Sequence, residues 1–116
     1  MRGDLDMAPG KLASQATHAS RISLLHFLKR HPDRIDEFID LNSCGSVVVL
    51  KAKNLGQLER ARDQAEAAGL PTALFADREH VIPGTAFDGS PVVTALAIGP
   101  ATREAMREIT KRFRCA

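Results

Sequence analysis

Val47-Val48-Val49-Leu50 is the stretch that most narrows what this chain can fold into. A continuous β-branched run suits a strand covered on both faces, as in a parallel sheet. The strand is expected over Ser46–Ala52. Asn54 is a good helix N-cap, with Gln57 three residues on as its capping-box partner. Leu55, Leu58, Ala61, Ala65 and Ala68 then recur at helical spacing, and Gly69 followed by Pro71 ends the pattern. Thr72–Ala76 reads as the next strand. Strand, helix, strand in this compass is a βαβ unit. It predicts two parallel strands, neighbours or near neighbours, joined by a right-handed crossover.

The flanks fit around that unit. Pro9-Gly10 leads into a helical pattern from Lys11 to about Arg30. Ala13, Ala16, Ala19, Ser20 and Ser23 keep one of its sides thin, so that a sheet can approach. Pro32 interrupts the pattern. Asp33–Leu41 reads as a short amphipathic helix that buries Ile35, Phe38, Ile39 and Leu41, and Asn42–Gly45 as a turn. Asp77–Pro91 is a polar loop with Pro83-Gly84 and Asp88-Gly89. Val92–Ile98 is the last strand, and Thr102 to about Arg112 the last helix, with Ala105, Met106, Ile109 and Phe113 as its buried stripe. The expected architecture is a single α/β domain over residues 1–116. Its sheet would be small, mixed and mostly parallel, with helices on both faces.

Composition removes several function classes. Five Phe and no Trp or Tyr argue against single-strand binding by a row of stacking aromatics. A formal charge of +2 guarantees no long-range basic field, so any nucleic-acid affinity rests on local clustering. Cys44 and Cys115 form neither a disulfide framework nor a zinc spacing. The four histidines, His18, His26, His31 and His80, show no ligand spacing. No metal and no cofactor are expected. No apolar run approaches the roughly 20 residues of a membrane span, and the N-terminus lacks a signal-type apolar region. The expectation is a cytoplasmic protein with no membrane partner.

Lys11, Gln15 and His18 fall on one stripe of the first helix, since they are spaced i, i+4 and i+7. A cation, an amide and an imidazole thus face one way at a helix start, where free N–H groups and the helix dipole favour an anion or a developing oxyanion. A solvated polar face is the plain alternative. Gly10-Lys11 is not a phosphate loop, because Leu12 follows the Lys and the earlier Gly is missing. No Ser stands in a nucleophile elbow.

The same stretch resembles the motif of the type II, archaeal and eukaryotic type, peptidyl-tRNA hydrolases. The matching residues are Arg2-Gly3-Asp4-Leu5, Ala8-Pro9-Gly10, then Lys11, Gln15 and His18-Ala19, with Ile98-Gly99-Pro100 near the end. The resemblance implies hydrolysis of the ester joining a peptide to the 3′ end of tRNA. It makes Lys11, Gln15, His18 and Asp77 the candidate catalytic residues, with peptidyl-tRNA as partner and a homodimer allowed. Lys11 suits the oxyanion or a phosphate. Gln15 would orient water or the carbonyl. Asp77, at a strand end, is the natural carboxylate. His18 either takes part or fixes the helix by a local hydrogen bond. Arg21, Lys29 and Arg30 are candidates for tracing the tRNA backbone, with a solvated charged face as the alternative. Asp4 either positions Lys11 or makes an ordinary turn contact.

Two departures stand out. Met1 sits where the family's first strand should be ending, so either the reading frame starts upstream or that strand is missing. The edge it would leave is expected to be covered by the Ala86–Ser90 loop or by a second chain. The family's loop Asp-Ala-Gly-x-Thr-Gln becomes Asp77-Arg78-Glu79-His80-Val81-Ile82, shorter by two residues and followed after Pro83-Gly84 by a longer loop. Glu79 stands near the family's Thr. Either Glu79 or His80 has taken over as base, or activity is lost and the domain binds RNA or protein. A hydrolase of a smaller ester or amide is the third reading. Lys11, Gln15 and Asp77 are expected to converge on one cleft, with Glu79 or His80 on its rim.

Overall fold

The computed structural model describes residues 1–78 and 80–116. The first helix, α1, runs Pro9–Arg30, with Pro9 in its first turn where a missing N–H costs nothing. Its buried stripe is Gln15, Ala19, Ser23 and Phe27. These four recur every four residues, so they form one band along the helix. Small side chains at Ala19 and Ser23 let the helix lie close to the sheet. Ser23 Oγ donates to the Gly99 carbonyl at 2.5 Å, which ties the band to the end of the last long strand.

A 3₁₀ turn, Pro32–Arg34, leads into the short helix α2, Ile35–Ile39. The expected burial of its apolar side does not occur. Ile35 and Ile39 are exposed, and Leu41 is 91% exposed. Only Phe38 is drawn in, edge-on to Phe27 at 5.8 Å. A single turn of helix buries only what a neighbouring element reaches, here Phe38 against Phe27 of α1, so its periodicity alone cannot bury the rest.

Helix α3, Leu55–Ala67, forms as its signals predict. Asn54 Oδ1 accepts from the Gln57 N–H at 2.9 Å, and Gln57 Oε1 accepts from the Lys53 N–H at 2.7 Å. Leu58, Ala61 and Ala65 are its buried face. Gly69 follows the cap at φ 74°, the left-handed turn that ends the helix. Helix α4, Arg103–Thr110, is capped by Thr102 and buries Ile109 against Ala61 and Ala65, with Leu70, Leu96, Ile98 and Phe113 around them.

The sheet departs from expectation. Strand β1 is only Leu50–Lys51 and pairs antiparallel with β4, Arg114–Cys115. Strand β2, Thr72–Asp77, pairs antiparallel with β3, Val92–Ile98. The only parallel pairing among the described residues is the isolated bridge between Arg2 and Ala52. The fold is α/β, but the mostly parallel sheet is corrected to two short antiparallel pairs. The strands expected from Val47 and Thr72 are not neighbours. Val47 and Val48 are 74% and 64% exposed and outside any strand. The run has strand propensity, but β4 reaches only Val49 and Leu50, and among the described residues no strand flanks Val47 and Val48.

Met1–Gly3 lies between the two pairs. The Ala52 N–H donates to the Met1 carbonyl, the Gly3 N–H to the Ala52 carbonyl, and the Arg2 N–H to the Thr94 carbonyl on β3. The terminal amine donates to the Leu50 carbonyl at 2.8 Å, and burial lowers its pKa. A groove of about 1200 Å³ separates Val47–Leu50 from Leu96–Ile98, lined by Ala19, Ser23 and Phe27 of α1 and by Leu58 and Ala61 of α3. The Ala86–Ser90 loop, expected to cover this edge, folds elsewhere.

Candidate functional site

Lys11 stands in the first turn of α1, and Asp77 is the last residue of β2. No acidic side chain precedes them in that turn, so the cationic end of the helix faces Asp77 unopposed. Lys11 Nζ donates to Asp77 Oδ2 at 2.6 Å, and the two side chains are only 13% and 15% exposed. His80 joins them. Its Nδ1 lies 3.2 Å from the same Asp77 oxygen and in contact with Lys11 Nζ. Burial works against ionisation of Asp77, but the hydrogen bonds and charges of Lys11 and His80 outweigh it and hold the carboxylate below its ordinary range.

One imidazole nitrogen cannot serve both neighbours at once. It accepts from the ammonium when unprotonated, or donates to the carboxylate when it carries the proton. In the second state the other ring nitrogen, Nε2, has a free lone pair. His80 is 43% exposed, so its ring stands at the protein surface.

The remaining candidates separate from this trio. Gln15 is one turn further on but faces inward, where its Oε1 accepts from Thr94 Oγ1 at 2.6 Å. Thr94 is fully buried, and a slip of the β2–β3 register between Phe75 and Ala76 leaves it without a partner on β2. Its carbonyl accepts from Arg2 and its hydroxyl holds Gln15, so it knits the front turn to α1. Nothing in the sequence marked Thr94; a register slip is invisible in periodicity. His18 stacks on Phe75 at 4.7 Å and takes a hydrogen bond at Nδ1 from Arg21. Asp4 pairs with Arg2 through two hydrogen bonds, of 3.1 and 2.7 Å, rather than with Lys11. Lys29 and Arg30 are exposed in the last turn of α1. Glu79, the other candidate base, lies outside the described residues. The large groove is lined by none of Lys11, Gln15, His18, Asp77 and His80. The trio is a surface site at the meeting of a helix start and a strand end. Among the described residues no cluster of three metal-ligating side chains occurs.

The whole chain, residues 1–116, matches the family model described as peptidyl-tRNA hydrolase PTH2. It is 33% identical over 115 residues to a peptidyl-tRNA hydrolase of Sulfolobus acidocaldarius, covering 95% of this chain and 90% of that one. A peptidyl-tRNA hydrolase of Methanococcus maripaludis is 34% identical over 113 residues, at 96% and 90% coverage. One from Thermococcus onnurineus is 32% identical over 112 residues, at 95% and 87%. With a match from end to end and identities at this level, the chain belongs to the PTH2 family of peptidyl-tRNA hydrolases.

Proposed function

We infer that this protein hydrolyses the ester bond between peptide and tRNA in peptidyl-tRNA, and that Lys11, Asp77 and His80 carry the chemistry. The observation behind the residue assignment is the Lys11–Asp77 ion pair with His80 against both partners. In the reaction, water adds to the ester carbonyl carbon and gives its proton to His80 Nε2. Asp77 accepts from His80 Nδ1, fixing the tautomer that leaves Nε2 basic. The Lys11 ammonium meets the negative charge that develops on the carbonyl oxygen. The tetrahedral intermediate then collapses. The tRNA ribose oxygen leaves and takes up the proton from His80. The products are a peptide carboxylate and a tRNA with a free hydroxyl.

Gln15 and His18 take supporting parts in this reading. The first holds α1 to Thr94, and the second packs α1 on Phe75. Of the basic residues on α1, Lys29 lies 18 residues after Lys11, which is five full turns and about 27 Å along the same stripe. It is the one aligned to meet a distant phosphate of the same RNA. Arg21 and Arg30, nine residues apart, point to opposite sides and cannot both meet one strand. The chain acting as one domain, a cytoplasmic compartment and a homodimer belong to the same proposal. They are supported by the end-to-end family match, by a substrate that arises in translation, and by the exposed Val47 and Val48. No described helix is long and apolar enough to cross a membrane.

An ester-release assay with peptidyl-tRNA, run beside a tRNA-binding control, tests the assignment. Lys11→Ala is expected to lower turnover by about 10²-fold or more, the scale for losing one oxyanion-stabilising group. Unchanged turnover would remove Lys11 from the mechanism. A wild type that binds tRNA through Lys11 without hydrolysis would make the domain a binding module.

A further inference from the structure

Phe87 lies in a loop, yet only 3% of it is exposed. It is not part of the cluster around Ala61 and Ile109. Its ring instead lies against the candidate site. Lys11 Nζ stands 4.3 Å from the ring centroid, and the His80 ring is 5.8 Å away, tilted by 43°. The loop that carries it is a small hairpin. Val81 faces Asp88 in an antiparallel bridge, the Ile82 N–H donates to the Phe87 carbonyl at 2.7 Å, and the Gly89 N–H donates to the His80 carbonyl at 3.0 Å. Its tip is held by Thr85, whose hydroxyl donates to the Ile82 carbonyl and accepts from the Phe87 N–H. Gly84 and Gly89 supply the left-handed positions, φ 76° and 95°, that such a tight return needs. His80 and Phe87 therefore sit on opposite limbs of one hydrogen-bonded unit, and both limbs touch Lys11.

An ammonium has three N–H donors. One goes to Asp77; a second is taken by His80 Nδ1 while that nitrogen is unprotonated and is released when Nδ1 donates to Asp77 instead. An aromatic face attracts the charge through its quadrupole but takes up no directional lone-pair bond. It also keeps water from that side of the cation. We propose that Phe87 is a positioning residue for Lys11: the ring holds the ammonium beside Asp77 and His80 without taking up an N–H, so that the N–H groups not given to Asp77 are kept for the substrate. This rests on the reading of Lys11 as the cation that meets the reacting ester. It assigns a purpose to the longer loop after Pro83-Gly84, one of the places where the sequence departs from the family pattern.

The test uses the full chain with fluorinated phenylalanines of increasing substitution at position 87. These keep the shape of the ring while draining the negative charge from its face. kcat for peptidyl-tRNA is expected to fall stepwise, to about one tenth at the most fluorinated ring, within the range a shielded cation–π contact supplies. KM should stay within about twofold, because that contact would act on the reacting group rather than on overall tRNA binding. Phe87→Leu should fall as far, and neither change should lower the residual activity of Lys11→Met further. A flat kcat across the fluorine series, or an equal loss in the Lys11→Met background, overturns the proposal while leaving Lys11 itself in place. Full activity of Lys11→Met overturns both. Independently of turnover, the Lys11 ε-methylene protons should resonate upfield from ring current and return to an ordinary lysine position in Phe87→Leu. An ordinary position in the wild type would show that the ring does not hold Lys11.

Discussion

Asp77 accepts from two neighbours that compete for the same oxygen, and its ionisation is therefore built into the folded state. Its folded pKa lies below the ordinary value. The stability it contributes is fully present above the unfolded carboxylate pKa of about 3.9 and is lost as pH falls through the lower folded value. Asp77→Asn should therefore lie below the wild type in urea midpoint at neutral pH, and the two curves should converge as pH drops below about 4. A gap that stays constant down to pH 2 would show that the carboxylate charge is not the source. At this scale the sequence was partly legible. Lys11 and Asp77 could be named because the family resemblance singled them out and because a helix start and a strand end are local features with known chemistry. Phe87 and Thr94 could not, since a loop phenylalanine and a strand threonine gain their meaning only from partners 76 and 79 residues away in sequence. Gln15 was legible as a residue facing one way on α1, but not as a residue facing inward.

Elements divide by whether their signals are local. Helix α3 announced its cap, its apolar face and its stop, and all three form. Asn54→Ala should cost about 1 kcal/mol in chemical denaturation, the usual loss for an N-cap. Leu58→Ala, in the buried face, should cost about 2–5 kcal/mol. Helix α2 shows the same apolar spacing over fewer residues and buries almost none of it. Leu41→Ser should accordingly stay within about 0.5 kcal/mol of the wild type. A large loss at Leu41 would mean that the segment packs on something in solution. Periodicity reports which side of an element is apolar; it does not report whether another surface arrives to cover that side.

The β2–β3 pair is clasped by α1 and α3, while among the described residues the backbone hydrogen bonds that link the β1–β4 side to it run through Met1–Gly3. The Val47–Leu50 run reads as a buried parallel strand because β-branched side chains fit any pleated, covered surface. Here the neighbouring strand position holds three residues at one end and a groove of about 1200 Å³ along the rest. Backbone that is exposed and outside a ladder opens at little cost in free energy, whereas a buried ladder exchanges only through larger unfolding. Hydrogen exchange followed by NMR should therefore show little protection at Val47 and Val48 and strong protection at Leu74 and Ala95, which lie on paired strands. Raising the protein concentration distinguishes the two ways the groove can behave. If the rim stays free, the Val47 and Val48 rates do not change with concentration. If a second copy settles on it, their exchange slows as concentration rises, while Leu74 and Ala95 are unaffected. Strong protection at Val47 and Val48 in dilute solution would contradict the open groove, and with it the two-pair sheet.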